Sequence, residues 1–189
     1  MNSFRWISVV LSMLLGLGVT RVLSASVAAF RSRHHATLDW IPFAWAACIF
    51  GWQLQFWWGI IELESIVATW TLALFLLMVL LVLLLFVAAA LVLPLHEMRA
   101  SDTLLSTFER DGRWALLALS AYHAVGLFTD WLLWQQSPFS VLGASIVALA
   151  ALPVLCFAYR DSRRVQVLGI LLYLPTGLWS AIAASPSAY

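Results

Sequence analysis

The chain has 189 residues, of which 63% are hydrophobic and only 10% are charged, and its mean hydropathy is +0.96. Soluble domains carry about 25% charged residues, so this composition excludes a soluble globular protein. It predicts an all-α polytopic membrane helix bundle in contact with the lipid bilayer, because helices satisfy their own backbone hydrogen bonds in lipid. The net charge of +1 gives no sign of a nucleic-acid-binding surface.

Six apolar segments follow one another along the chain, and a membrane crossing takes about 20 residues. They cover residues 4–30, 40–61, 66–93, 113–134, 138–159 and 165–184. We therefore predict one transmembrane domain over 1–189 with about six helices. Residues 94–112 form the longest loop, in which Ser101 can cap a short helix with an apolar stripe of Leu104 and Phe108. We expect that helix to lie on the cytoplasmic membrane surface.

The placement of arginine predicts the orientation of the chain. Only Arg5 lies on the side where the first segment begins. Eight arginines lie in the breaks after the first, third and fifth segments: Arg31, Arg33, Arg99, Arg110, Arg113, Arg160, Arg163 and Arg164. Because basic residues are enriched in cytoplasmic loops, we expect these three loops inside the cell and both termini outside.

Small residues recur at every fourth position of the first segment, including Ser12, Gly16, Thr20 and Ser24. Small residues let membrane helices approach closely, so this stripe predicts a helix-packing face. Two alternatives remain open: packing against a neighbouring helix of the same chain, or a seam in a homo-oligomer. Arg21 lies on an adjacent face, where it is either part of a functional site or a structural intramembrane charge held in an ion pair.

Five polar residues of the second, fourth and sixth segments predict a substrate- or ion-binding cluster. His123 and Asp130 share one helix face because they are seven residues apart, and Gln55 and Glu62 share another for the same reason. Tyr173 falls at about the depth of His123. We expect these side chains to form a polar cluster that opens outward, with Asp130 bonded to Gln55, His123 or water. The alternative is a hydrogen-bonded pin that only fixes helix packing. No residue pattern indicates a catalytic centre, a metal site or a cofactor.

Short similarities between the two halves of the chain favour a weak 3+3 inverted repeat, as found in many transporters. The first and fourth segments both contain Gly-Leu, at Gly16 and Gly126, and the second and fifth both open with Pro-Phe, at Pro42 and Pro138. Chance similarity between apolar segments is the alternative explanation.

Three stretches of the chain resemble a group of small bacterial integral membrane proteins without assigned function. They read LGLGVTRVLS at 15–24, QLQFWW at 53–58 and FERDGRW at 108–114. The resemblance implies a multi-pass protein of the bacterial plasma (inner) membrane, and it implies no activity.

The sequence leaves three classes of function open. One is a small channel or transporter, oligomeric and with the outward polar cluster as its site. Another is an accessory or scaffolding subunit that binds other membrane protein subunits through its small-residue and tryptophan-rich faces. The third is an enzyme acting on lipid at the membrane interface, with His96, Glu97 and Arg99 at its site.

Overall fold

A computed structural model describes residues 3–34, 36–67, 69–95, 103–135, 137–159 and 162–184. Apart from one isolated bridge between Thr37 and Thr103, the regular structure of these ranges is helical, which confirms the all-α class. The α-helices are α1 (Ser3–Arg31), α2 (Trp40–Ile66), α3 (Leu72–Val92), α4 (Leu104–Thr107), α5 (Trp114–Trp134), α6 (Val141–Ala158) and α7 (Arg163–Ala184). A π-helical turn, Phe108–Gly112, joins α4 to α5.

Five of these helices, α1, α3, α5, α6 and α7, are long and apolar enough to cross a membrane. By length and composition they indicate a polytopic membrane protein. The α2 helix is longer than most of them, with 27 residues, but its tryptophan and glutamine residues lower its hydropathy. A sixth crossing by α2 therefore stays a prediction.

The predicted helix boundaries differ most from the structure at the hairpin between α2 and α3. We expected a break at 62–65, yet α2 continues through it to Ile66. Glu62 and Glu64 are tolerated there because they lie in the last turns of the helix. The next helix begins only at Leu72, where Thr71 caps it.

The hairpin between α5 and α6 is also longer than predicted. Pro138 lies in the turn and does not start the helix. The helix α6 begins at Val141, because the Ser140 hydroxyl accepts a hydrogen bond of 3.0 Å from the backbone N–H of Gly143.

Five helices pack in a closed ring, in which α2 contacts α3, α3 contacts α5, α5 contacts α6, α6 contacts α7 and α7 contacts α2. The α1 helix lies outside this ring against α2 and α3. Its counterpart in the predicted inverted repeat, α5, is a member of the ring, so the arrangement gives no support to that repeat.

Because consecutive long helices run in opposite directions, the loops with most arginines lie together at what we call the arginine-rich end. An ion pair of 2.6 Å between Arg163 and Asp39 joins the starts of α7 and α2 at this end. The opposite, arginine-poor end contains the last turns of α2, α5 and α7. The loop at the arginine-rich end contains the short helix α4, which Thr103 caps, whereas Ser101 lies outside the described residues. The position of this helix on the membrane surface stays a prediction.

Four small residues of the α1 stripe, Ser12, Gly16, Thr20 and Ser24, are at most partly buried. No atom lies within 4 Å of the position that a Cβ would take at Gly16, and Thr20 and Ser24 are exposed. Ser12 is only partly buried. Packing of these residues against a neighbouring helix of the same chain therefore gains no support from the structure, and the seam between copies stays a prediction. The buried face of α1 carries apolar residues such as Leu11, Leu15, Val22 and Ala25.

Candidate functional site

A cavity of about 180 Å³ lies in the centre of the ring. All five ring helices contribute to its wall, with Gln55 from α2, Met78 from α3, Asp130 from α5, Ile146 from α6 and Ala181 from α7. A site at this position is held by packing contacts between every neighbouring pair of helices in the ring.

Two glycines create the space for this cavity. Gly59 on α2 and Gly126 on α5 both line it, and neither has an atom within 4 Å of the position that a Cβ would take. Side chains at these two positions would project into open space. The absence of side chains at Gly59 and Gly126 therefore leaves this space open.

The cavity opens at the arginine-poor end. An adjoining pocket of about 320 Å³ shares Gln55, Asp130 and Trp134 with the cavity and adds Glu62 and Ala183. These residues lie toward the ends of α2, α5 and α7 on that side. Three of the five residues that we predicted as a cluster, Gln55, Glu62 and Asp130, thus surround the mouth.

His123 lines the inner end of the cavity and is paired there with Tyr173. The His123 Nε2 atom and the Tyr173 hydroxyl oxygen are hydrogen-bonded at 2.6 Å, and both side chains are buried. Aromatic rings surround this pair: the Trp52 ring meets the His123 ring edge-on with centroids 4.7 Å apart, and Trp45 packs against Tyr173. The pair links α5 to α7 by a buried polar contact.

The predicted direct contacts of Asp130 are not present. Among the hydrogen bonds of the described residues, the Asp130 carboxylate makes none with Gln55 or His123, although all three line the cavity. Residues seven apart share a helix face but lie about 10 Å apart along the axis. Asp130 therefore stands at the mouth and His123 at the inner end.

The charges around the cavity have one sign. Asp130 and Glu62 contribute carboxylates, and the described residues that line the cavity and its mouth include no arginine; the sequence has no lysine. The aromatic residues Trp52, Phe56 and Tyr122 also line the cavity. Carboxylates beside aromatic faces are the groups that attract a cation, and an organic ammonium in particular.

Beyond His123 and Tyr173 the ring is filled with apolar side chains. Ile49, Leu85 and Leu119 are fully buried on the side toward the arginine-rich end. The described residues therefore form a cavity that is open at one end and closed at the other.

Arg21 is not among the residues that line the cavity or its mouth. Its Nη2 atom donates a hydrogen bond of 2.6 Å to the backbone carbonyl of Ala90 on α3. In a continuous helix this carbonyl would accept from the N–H of residue 94, but residue 94 is proline and has no N–H. Among the described residues, the partner of Arg21 is thus a carbonyl that Pro94 leaves without its helical donor, and the predicted ion pair is not seen there.

Gln53 is a buried polar residue that we did not predict. It is 1% exposed, and its amide lies against α1 at Gly18, where a Cβ would overlap it. Neither amide atom has a hydrogen-bond partner within the described part of the chain. The signal was present as a second glutamine two positions before Gln55, which places it on the opposite face of α2.

The residues expected at a lipid-acting site, His96, Glu97 and Arg99, lie outside the described residues. Within those residues, no group of three or more His, Cys, Asp or Glu side chains could hold a metal ion. Comparison of the chain with protein-family models, with curated proteins and with solved structures finds no significant match.

Proposed function

We propose that this protein captures a small organic cation in the central cavity, from the arginine-poor end, as the binding step of transport across the membrane. The observation that carries this proposal is the Asp130 carboxylate in a cavity that Trp52 and Tyr122 also line and whose described lining has no arginine or lysine. The proposal includes the six crossings and the outside termini predicted from the sequence. On that topology the cavity faces the periplasm.

A bound cation would remove an energetic problem of the site. A carboxylate inside an apolar bundle costs several kcal/mol unless it has a partner, and Asp130 is half-buried. An ammonium group beside it supplies the missing charge. The faces of Trp52 and Tyr122 would add about 0.5–2 kcal/mol through cation–π attraction.

The closed inner end favours a carrier over an open channel. A channel needs a continuous path, whereas here the His123–Tyr173 hydrogen bond and the buried side chains beyond it close the ring. For a cation to pass, this contact between α5 and α7 must break and form again. The His123–Tyr173 pair would therefore act as the inner gate of an alternating-access cycle.

The test is binding of tetramethylammonium to the protein in lipid nanodiscs, followed by its uptake into proteoliposomes. Asp130→Asn keeps the shape of the side chain and removes its charge. We expect it to weaken binding at least about tenfold, which corresponds to 1.4 kcal/mol, and to abolish uptake. Glu64→Gln is the matched control, because it removes a carboxylate at the same end that does not line the cavity.

Wild-type protein that neither binds nor transports tetramethylammonium would overturn the proposal. So would an Asp130→Asn variant that is as active as the wild type. If Glu64→Gln lowered binding as much as Asp130→Asn, the effect would come from surface charge and not from the cavity.

The proposed topology has its own test. A periplasm-dependent reporter fused after Tyr189 should be active, since both termini are expected outside. A reporter that works only in the cytoplasm should be silent at that position, and the opposite result would reverse the side on which the cavity opens.

A second candidate function, a scaffolding or oligomeric subunit, has one observation in its favour. The α1 helix lies outside the ring, and its small-residue stripe with Gly16, Thr20 and Ser24 points away from the chain. Such a surface allows close approach of another membrane helix. A Gly16→Leu variant should then lower the mass of the particle in a light-scattering measurement, whereas an unchanged mass would dismiss the seam.

A further inference from the structure

A groove of about 470 Å³ runs along the outside of the ring between α2 and α7. Leu54 and Trp58 on α2 and Leu174 and Leu178 on α7 form its rims, and all four are partly exposed to the surroundings of the bundle. Gly51 lies in the groove, and no atom lies within 4 Å of the position that a Cβ would take there. The groove is a largely apolar surface depression, and in the proposed topology it faces lipid.

The groove and the central cavity meet at the same residues. Trp52, Gln55 and Ala181 line both of them, so these residues form the thin wall between the inside of the ring and its outer surface. The contact between α2 and α7 is also the sparsest in the ring. A displacement of these side chains would join the two spaces.

The sizes of the two spaces match a ligand with two chemically different parts. Pockets that enclose whole drug-sized ligands measure about 300–1,000 Å³, so the central cavity of about 180 Å³ holds only a small group. That cavity carries the carboxylate. The adjoining groove is larger and apolar.

We propose that the captured cation carries an alkyl chain, and that this chain leaves the cavity between α2 and α7 to lie in the groove. The substrate class is thus an amphiphilic organic cation, such as a quaternary alkylammonium compound. This inference rests on the proposed function, since the cavity must first bind the ammonium head. It adds a lateral path that the head group alone does not need.

The experiment compares tetramethylammonium with octyltrimethylammonium in nanodiscs of zwitterionic lipid, with binding expressed against the free aqueous concentration. A chain in an apolar groove gains about 0.8 kcal/mol, or about fourfold in affinity, for each methylene group. We therefore expect the octyl compound to bind at least about a hundredfold more tightly. A chain forced into water would bring no such gain.

Two glycine variants separate the head site from the chain site. Gly51→Leu fills the groove, so it should remove most of the advantage of the octyl compound and leave tetramethylammonium binding unchanged. Gly126→Leu fills the cavity and should weaken both compounds. If Gly51→Leu bound neither compound, the wild type would be tested with alkyl chains of increasing length. The lateral path then requires that affinity rise with each added methylene until the groove is full.

Tetramethylammonium that binds, with an octyl compound that binds no more tightly, would overturn the lateral path and leave the proposed function intact. A Gly51→Leu variant that binds the octyl compound as tightly as the wild type would also overturn the lateral path and leave the proposed function intact. A wild type that binds neither compound would overturn the proposed function, and the lateral path with it.

Discussion

Filling the central cavity with a side chain should make the protein more stable and less active. Gly126 points into the cavity, and no atom lies within 4 Å of the position that its Cβ would take. A Gly126→Leu side chain would therefore extend into the space that the ammonium head is proposed to occupy. Stability and binding are expected to change in opposite directions, as at many functional sites.

The size of the effect follows from the volume. Empty space inside a protein costs about 24 cal/mol per Å³, so a dry cavity of about 180 Å³ costs about 4 kcal/mol. This is an upper value, because water near Asp130 offsets part of it and one leucine fills only part of the space. We expect Gly126→Leu to gain about 1–3 kcal/mol by filling the cavity.

The matched control is Gly16→Leu on α1. Both variants replace a helical glycine and gain the same helix propensity of up to about 1 kcal/mol. Gly16 faces away from the bundle, so its leucine fills no cavity. The difference between the two variants in thermal unfolding therefore isolates the cavity, provided that both are measured as monomers in the same micelles. A Gly126→Leu protein that is less stable than Gly16→Leu, or that binds tetramethylammonium like the wild type, would refute the reasoning.

Three other predictions concern packing around the site. Gly143→Ala should lower stability by about 1–3 kcal/mol relative to Gly16→Ala, because its Cβ would meet backbone oxygens of the α5–α6 hairpin; equal melting temperatures would contradict this. Arg21→Met should cost about 1.5–3 kcal/mol in unfolding free energy by removing a charged hydrogen bond to α3. Adding Pro94→Ala should reduce that loss, because alanine restores a backbone N–H that can bond to the Ala90 carbonyl. Tyr173→Phe should cost about 1–3 kcal/mol, because it leaves the buried His123 Nε2 without its partner; unchanged unfolding would show that another group replaces the hydroxyl.

The helix faces that meet at the cavity could be predicted because helix geometry is fixed. Gln55 and Glu62, and likewise His123 and Asp130, are seven residues apart, and this spacing places each pair on one face in any α-helix. The alternation of helix direction then sets their relative depth. The same reasoning could not predict whether these side chains touch or only line the same cavity. Residue spacing fixes the face of the helix on which a side chain lies, but not the distance between two helices.

The position of α1 could not be predicted. Small residues permit close approach but do not require it, so the stripe at Gly16 fits a lipid-facing or intermolecular surface as well as an internal one. Which face is buried depends on ring closure between α7 and α2, a contact between distant parts of the chain. The role of Arg21 was hidden for a similar reason: its partner is a carbonyl that Pro94 leaves free, and sequence spacing does not connect the two.

The charge distribution that predicts orientation also favours the proposed direction of capture. Glu62, Glu64 and Asp130 lie at the arginine-poor end, where Arg5 is the one basic residue among those that the structure describes. Most arginines lie at the opposite end. A cation is attracted to the mouth of the cavity and repelled from the far end of the ring. Because the closed inner end also lies on the arginine-rich side, charge and shape favour loading from the same side. Release on the other side would then need a second conformation, in which the cavity loses its contact with the Asp130 carboxylate or the inner gate opens.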